Sequence, residues 1–267
     1  MHRPLIDRAR TSARLRALDV RDTVAGRRDR LTPPRRLDFV GHSDFVATGD
    51  EFLGYFVELG GMQPSERVLD VGCGIGRMAR PLAGYLSGEG SYDGFDVNRE
   101  GIGWCRRRYR RHPSFHFQVA DIYNARYNPG GAHRADEYRF PYEDASFDFV
   151  LATSVFTHLL EADATNYLGE CARVLAPGGR LFATLFLLND TSRALMAAGK
   201  AGMTFLDVDE RVAILDEDLP EEAVAYDDEW VFETLRAGGL ELTGIHPGSW
   251  SGRDEFVSFQ DMVIAHA

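Results

Sequence analysis

With 267 residues, 44% of them apolar and 27% charged, the chain has the make-up of a globular protein long enough to bury roughly 75% of its unfolded surface without staples. Its formal charge of −11 opposes a broad nucleic-acid surface. No apolar run approaches the roughly eighteen residues of a bilayer span, the longest being the strand-sized 181–188.

Cys73, Cys105 and Cys171 are odd in number and widely spread, so neither a disulfide framework nor a CxxC-type zinc site is expected, and a reducing, cytoplasmic setting fits. Charge is uneven along the chain. Residues 1–36 hold eleven Arg and four Asp, a net of +7, which leaves −18 for residues 37–267. This arm lacks a secretory-type apolar run, and its aspartates are foreign to a transit peptide. The expectation is a partly helical arm folded over the acidic surface of the body, with a lid or a nucleic-acid tether as alternatives. Residues 37–267 read as one domain.

After Pro33-Pro34, Phe45, Phe52, Leu53, Phe56 and Val57 recur near helical spacing and stop at Gly60-Gly61, predicting a helix over 45–59. Strands are then predicted at 67–71, 92–97 and 115–120, with helices at 75–86 and 99–111 between them. In the first of these helices Ile75, Met78, Ala79, Leu82, Ala83 and Leu86 form one stripe, with Pro81 bending it or delaying its start. Past an irregular stretch at 123–146 come a strand at 147–152, a helix at 162–175, the Pro177-Gly178-Gly179 turn and a strand at 180–187. Residues 189–226 read as loop and short helix. Within 205–230 eleven acids accompany Arg211 alone, as on a solvated face. A helix at 229–237 ends at Gly238-Gly239, and segments 240–246 and 256–265 close the chain as a hairpin. The alternation predicts an α/β fold with a doubly wound, parallel sheet.

The run Val68-Leu69-Asp70-Val71-Gly72-Cys73-Gly74-Ile75-Gly76-Arg77 reads as a buried strand, a glycine turn and a helix start. Such a turn lets backbone approach a ligand and aims amides at it. Arg77 stands where the dinucleotide fingerprint GxGxxG needs its third glycine, which ranks a nucleotide-binding oxidoreductase lower. Asp96, ending the second strand, is a bidentate acceptor suited to two vicinal hydroxyls, and Asp121 ends the third in Val119-Ala120-Asp121-Ile122. The first run resembles motif I, (V/L)LD(V/L)GxGxG, of class I S-adenosylmethionine-dependent methyltransferases. Further stations follow in the family's order, down to RVLAPGGRLFATL at the fifth strand, so the resemblance spans about 60–188.

That resemblance implies a Rossmann-like seven-stranded sheet, mostly parallel with one antiparallel strand near the C-terminus. It implies S-adenosyl-L-methionine as cofactor and S-adenosyl-L-homocysteine as product. Asp70, Gly72, Cys73, Gly74, Gly76 and Arg77 would surround the methionine part, with Arg77 reaching toward its carboxylate. Asp96, Val97, Asp121 and Ile122 would hold the nucleoside, Asp96 on the ribose and Asp121 on the adenine amine. Thr153 and Ser154 would lie in the floor beneath the transferable methyl group. His158, just beyond, is the candidate general base, since an imidazole titrates near neutral pH; a structural, hydrogen-bonded histidine is the alternative. His116 and His246 read as structural. No set of carboxylates converges for a metal. Ala152-Thr153-Ser154-Val155 departs from the (N/D)PPY of base-amine methyltransferases.

Acceptor selection in this family falls to the elements around the cofactor core, here 37–55 and 189–261. Trp250 is expected to stack on a sugar face while Arg253 or Asp261 takes hydroxyls. The alternative is a hairpin pinned by a buried Trp and an Arg–Asp pair. The expected reaction is methyl transfer to a hydroxyl, ahead of an amine, of a small polar metabolite such as a sugar or natural-product scaffold, with no membrane partner. An RNA or protein methyltransferase using the basic arm ranks behind it.

Overall fold

From Asp44 onward a 14-residue helix leads, over residues 59–66, to the first strand of a sheet. The computed structural model describes residues 15, 17–26, 28–37, 44–125 and 127–267, so the expectations for 1–14 and 38–43 lie outside the described residues. Helix α1 (Phe45–Glu58) is capped by Asp44, whose carboxylate accepts from the Val46 and Ala47 amides and so satisfies two otherwise orphaned donors. Strand β1 (Arg67–Val71) leads through a glycine loop into α2 (Ala79–Tyr85). This helix starts four residues later than the apolar stripe predicts. Gly72, Gly74 and Gly76 hold φ of +70°, +58° and +82°, outside helical space, and Pro81 falls in the first turn, where its missing N–H has no intrahelical partner.

Strand β2 (Ser91–Asp96), helix α3 (Arg99–Arg108), strands β3 (Phe115–Val119) and β4 (Phe147–Ala152), and helix α4 (Glu161–Val174) follow. Alternate residues of the strands feed two cores, as a sheet covered on both faces requires. Leu69, Val71, Phe95 and Val150 pack with Leu168 and Cys171 of α4. Val68, Phe149 and Leu151 pack with Phe52 and Phe56 of α1 and Ile102 of α3. Strand β5 (Leu175–Leu185) absorbs the predicted turn at Pro177-Gly178-Gly179. The Gly178 N–H donates to the Ala267 carbonyl and the Ala267 N–H to the Gly179 carbonyl, each at 2.9 Å, so the end of the chain stitches those residues into the ladder as an irregularity.

Residues 189–226 hold more than loop. Strand β6 (Leu187–Leu188), helix α5 (Asp190–Ala197), and strands β7 (Leu206–Asp207), β8 (Val212–Ile214) and β9 (Val224–Asp227) build a second sheet of order β6-β9-β8-β7. Beneath it Phe186, Leu188, Phe205, Ala213, Ala225 and Trp250 form a third apolar cluster. The acidic stretch is not wholly solvated either, because Glu221 is buried and its carboxylate accepts the Ala125 N–H. Helix α6 (Asp228–Ala237) then precedes β10 (Glu241–His246) and β11 (Asp261–His266). The main sheet has the order β10-β11-β5-β4-β1-β2-β3, with β11 antiparallel to both of its neighbours. It is the expected seven-stranded Rossmann-like sheet.

In the described part of the arm, residues 17–24 are helical and the positive charges are spent largely at home. Arg28 pairs with Asp19 at 3.0 Å and Arg35 with Asp22. Attachment to the body runs through Arg80 of α2, which reaches Asp29 and Asp50 at 2.7 Å each. The expected polarity, arm arginine to body acid, is met by Arg36 and Glu100 at 3.6 Å. Among the described residues no helix is long and apolar enough to cross a membrane.

Candidate active site

A cavity of about 730 Å³ opens beyond the C-terminal ends of β1, β2 and β4, the edge at which open α/β sheets bind ligands. Its first wall is the glycine loop. A Cβ on Gly72 would stand 2.5 Å from Val155 Cγ2, so the loop and the segment after β4 touch only because glycine is there. The Gly74 N–H donates to Asp96 Oδ2 at 2.8 Å, and Asp96 Oδ1 accepts the Asn98 N–H at 2.7 Å. Burial raises this carboxyl above its ordinary range while those two amides pull it back. Each oxygen keeps a lone pair for a further donor.

Asp70 is wholly buried at the end of β1. Its Oδ2 accepts the Tyr92 hydroxyl at 2.6 Å, and its Oδ1, equally buried, has no hydrogen-bond partner. Desolvation, reinforced by the nearby Asp96 charge, pushes the carboxyl up to about 8. Cys73, Arg77 and Val97 line the cavity alongside these groups. Burial pushes the Cys73 thiol well up, which makes it an inert wall and no nucleophile.

Two residues expected around the cofactor stand elsewhere. Gly76 does not line the cavity; a Cβ there would stand 3.1 Å from Cys105 Sγ and 3.5 Å from the Tyr109 hydroxyl, so the glycine serves the packing of α3 on the loop. Asp121 is also outside the lining, its carboxylate 3.1 Å from Arg99 Nη2 on the surface, while the adjoining Ile122 does line the cavity. The arginine that opens α3 competes there for the carboxylate that the resemblance assigns to adenine.

The opposite wall follows β4. Thr153 and Ser154 both line the cavity, and Ser154 holds φ +56°, a conformation that costs a non-glycine residue about 1–2 kcal/mol. Its amide donates to Thr184 Oγ1 at 2.7 Å and its hydroxyl to Gln260 Oε1 at 3.1 Å, which fixes the strained residue in place. Sequence reasoning placed Gln260 beside Asp261 in a polar stretch of the acceptor side and did not join it, or Thr184, to Ser154, because only the β5–β11 pairing brings the three together.

His158 lines the same cavity from a 3₁₀ turn held by the buried Tyr226 hydroxyl, 2.6 Å from the Phe156 carbonyl. Its Nδ1 lies 3.0 Å from the Glu221 carbonyl oxygen. A carbonyl only accepts, so Nδ1 carries the proton and Nε2 keeps its lone pair. Nε2 faces the Tyr127 hydroxyl at 3.3 Å, and the two rings meet edge to face at 5.2 Å. Tyr127 and Glu221 are the other residues the sequence did not single out; both come from stretches without periodicity.

Trp250 and Arg253 do not form an acceptor wall. Trp250 is fully buried against Phe186 and Phe205, with its indole N–H on Asp261 Oδ2 at 2.6 Å, so neither ring face is open to a sugar. Arg253 lies outside the cavity lining and donates to Asn189 Oδ1 at 2.9 Å. Asp261 likewise turns inward, accepting the Gly248 and Leu187 amides at 2.7 and 2.8 Å. The hairpin is pinned by a buried Trp, and its partner is Asp261 with no arginine in the bond.

A doubly wound sheet with a glycine loop at β1 and an acidic residue ending β2 defines a nucleotide-type binding fold. Residues 69–183 match the family described as a methyltransferase domain. Over 131 residues the chain is 37% identical to phthiotriol/phenolphthiotriol dimycocerosates methyltransferase 1 of Mycobacterium ulcerans, covering 48% of this chain and 39% of that protein. Over 119 residues it is 33% identical to the O-methyltransferase cnsE of Penicillium expansum, covering 43% and 36%. The chain thus spans well under half the length of these curated relatives. A SAM-dependent methyltransferase from Methanosarcina mazei shares the fold, with a TM-score of 0.52 at 21% identity over 77% of this chain and 93% of that one. Residues 69–183 are thus similar to a methyltransferase domain, and the fold around them is one that a SAM-dependent methyltransferase shares.

Proposed function

We propose that this protein methylates a hydroxyl of a small molecule with an apolar, natural-product-like body, and that His158 is the base. The observation that carries the reading is the Nδ1–H of His158 held on the Glu221 carbonyl at 3.0 Å, which makes Nε2 the accepting nitrogen, 3.3 Å from the Tyr127 hydroxyl, on a side chain that lines the same cavity as the motif I loop. The residues fit the cofactor: Gly72 and Gly74 of the loop line the cavity, the Asp96 carboxylate has lone pairs to spare, and the buried Asp70 Oδ1 lacks a donor. Bound S-adenosylmethionine supplies a methyl group already activated by its sulfonium.

The chain's own part is then orientation, exclusion of water and acceptance of one proton. Asp96, Val97 and Ile122 would hold the nucleoside, and Asp70, Gly72, Cys73, Gly74 and Arg77 the methionine part. Asp121 would join only by leaving Arg99. Nε2 of His158 would take the proton of the acceptor hydroxyl, with the Glu221 carbonyl steadying the imidazolium that results. The far wall holds Phe186, Met203 and Phe259, which favours an apolar body over the sugar expected from Trp250. The relatives' printed names, a dimycocerosates methyltransferase and an O-methyltransferase, lean the same way.

The test is calorimetric titration with S-adenosylmethionine and S-adenosylhomocysteine, with Asp96→Ala as control, followed by S-adenosylhomocysteine release across hydroxylated apolar acceptors. Binding lost in Asp96→Ala, together with a roughly 10²–10⁴-fold lower kcat in His158→Ala at unchanged cofactor affinity, is the expected result. No cofactor binding would remove the reading.

A further inference from the structure

We infer that Gln260 is the residue that selects the acceptor, by donating its amide hydrogens to an oxygen of an otherwise apolar molecule. This rests on the methyltransferase reading above and names what that site takes. The backbone N–H of Ser154 is an obligate donor, and it points at Thr184 Oγ1 at 2.7 Å. The Thr184 hydroxyl therefore accepts there and turns its own proton to Gln260 at 2.6 Å. The Ser154 hydroxyl converges on the same Gln260 atom at 3.1 Å. An atom receiving two hydroxyl protons is the amide oxygen.

That leaves the Gln260 nitrogen with two hydrogens and no partner among the described residues, on a side chain that lines the cavity. The reverse orientation would need both hydroxyls to turn and accept, and Thr184 Oγ1 already accepts the Ser154 amide. Thr184 is fully buried in β5, and β5–β11 pairing sets Met262 opposite it, which seats Gln260 at the strand's entrance. Around the donor the wall is apolar, with Phe186, Met203 and the half-exposed Phe259 at the mouth. A fixed donor in an apolar wall recognises an oxygen by leaving itself unpaired with anything else.

The probes are 4-butylphenol and butylbenzene, which differ by one hydroxyl, titrated into the S-adenosylhomocysteine-loaded protein and followed by saturation-transfer NMR. Two variants separate donor from scaffold: Gln260→Glu keeps an oxygen for Ser154 and Thr184 but has no amide hydrogens, and Gln260→Met removes both functions. We expect wild type to bind 4-butylphenol roughly tenfold or more tightly than butylbenzene, both variants to lose that preference, and S-adenosylhomocysteine affinity to stay within about threefold of wild type. Gln260→Glu binding 4-butylphenol as wild type does, equal affinity of wild type for the two probes, or no binding of either would overturn the inference alone. Failure of S-adenosylhomocysteine itself to bind would overturn the methyltransferase reading along with it.

Discussion

The indole N–H of Trp250 and the carboxylate of Asp261 meet at 2.6 Å inside the protein, and this one contact decides how the C-terminal third is built. Asp261 begins β11, so its side chain ties the loop of residues 248–251 and the start of β6 to the main sheet through three donors. Removing the acceptor would strand all three. Asp261→Ala should cost about 3–5 kcal/mol and Trp250→Phe about 1–3 kcal/mol, both read from urea unfolding midpoints at constant m-value. A loss under about 1 kcal/mol in Asp261→Ala would contradict this.

The pH behaviour of the unliganded protein should carry the mark of Asp70. Its carboxyl is pushed up to about 8 in the folded state from 3.8, so between those values the folded chain binds more proton than the unfolded one. Stability from this group is therefore full below about pH 4 and is lost as pH rises toward 8, at up to about 1.4 kcal/mol per pH unit. Asp70→Asn keeps an acceptor for Tyr92 and cannot ionise. Its stability relative to wild type should climb between pH 5 and 8, measured by denaturant unfolding, and a flat difference would refute the assignment.

Glycine substitutions should separate the loop from the helix. Gly72 combines φ +70° with a Cβ position 2.5 Å from Val155 Cγ2, so Gly72→Ala should lose about 2 kcal/mol or more of stability and weaken S-adenosylhomocysteine binding. Gly54, within α1, has nothing within 4 Å of its Cβ position. Gly54→Ala should raise stability by about 0.5–1 kcal/mol and leave the cofactor isotherm unchanged.

Arg173 should prove the most costly charge to remove. It donates to both oxygens of Glu170 at 2.7 and 2.5 Å, to Asp144 at 2.7 Å, and to the carbonyls of Tyr142 and Phe140 at 2.9 and 3.1 Å. These bonds hold residues 138–146 against α4. Arg173→Met should cost about 3–5 kcal/mol. Arg173→Lys should recover less than half of it, since one ammonium cannot span the same fork. Thermal unfolding of both variants supplies the comparison.

Much of the sheet was legible because its strands are written twice, once as apolar runs and once as the spacing between them. Phe147–Ala152 was predicted to the residue, α4 lies one residue earlier than predicted, and α6 starts one residue earlier and ends where predicted. The second sheet was not legible, since β6 and β7 have two residues each and two residues carry no period. Trp250 misled for a related reason. An aromatic flanked by Gly248, Ser249, Ser251 and Gly252 looks exposed in sequence, and only the three-dimensional fold puts Phe186, Phe205 and Asp261 around it.

The sequence by itself determined the doubly wound order, the glycine turn at β1, and the positions of Asp70, Asp96 and His158, because each depends on residues within a few places of one another. Only the tertiary structure decided what faces the cavity and what does not. It turned Asp121 to Arg99 and Gly76 to Cys105, gave His158 its tautomer through a carbonyl 63 residues away, and joined Ser154, Thr184 and Gln260 across 106 residues of chain. Hydrogen bonds of that reach follow from strand register and packing, which local pattern does not encode.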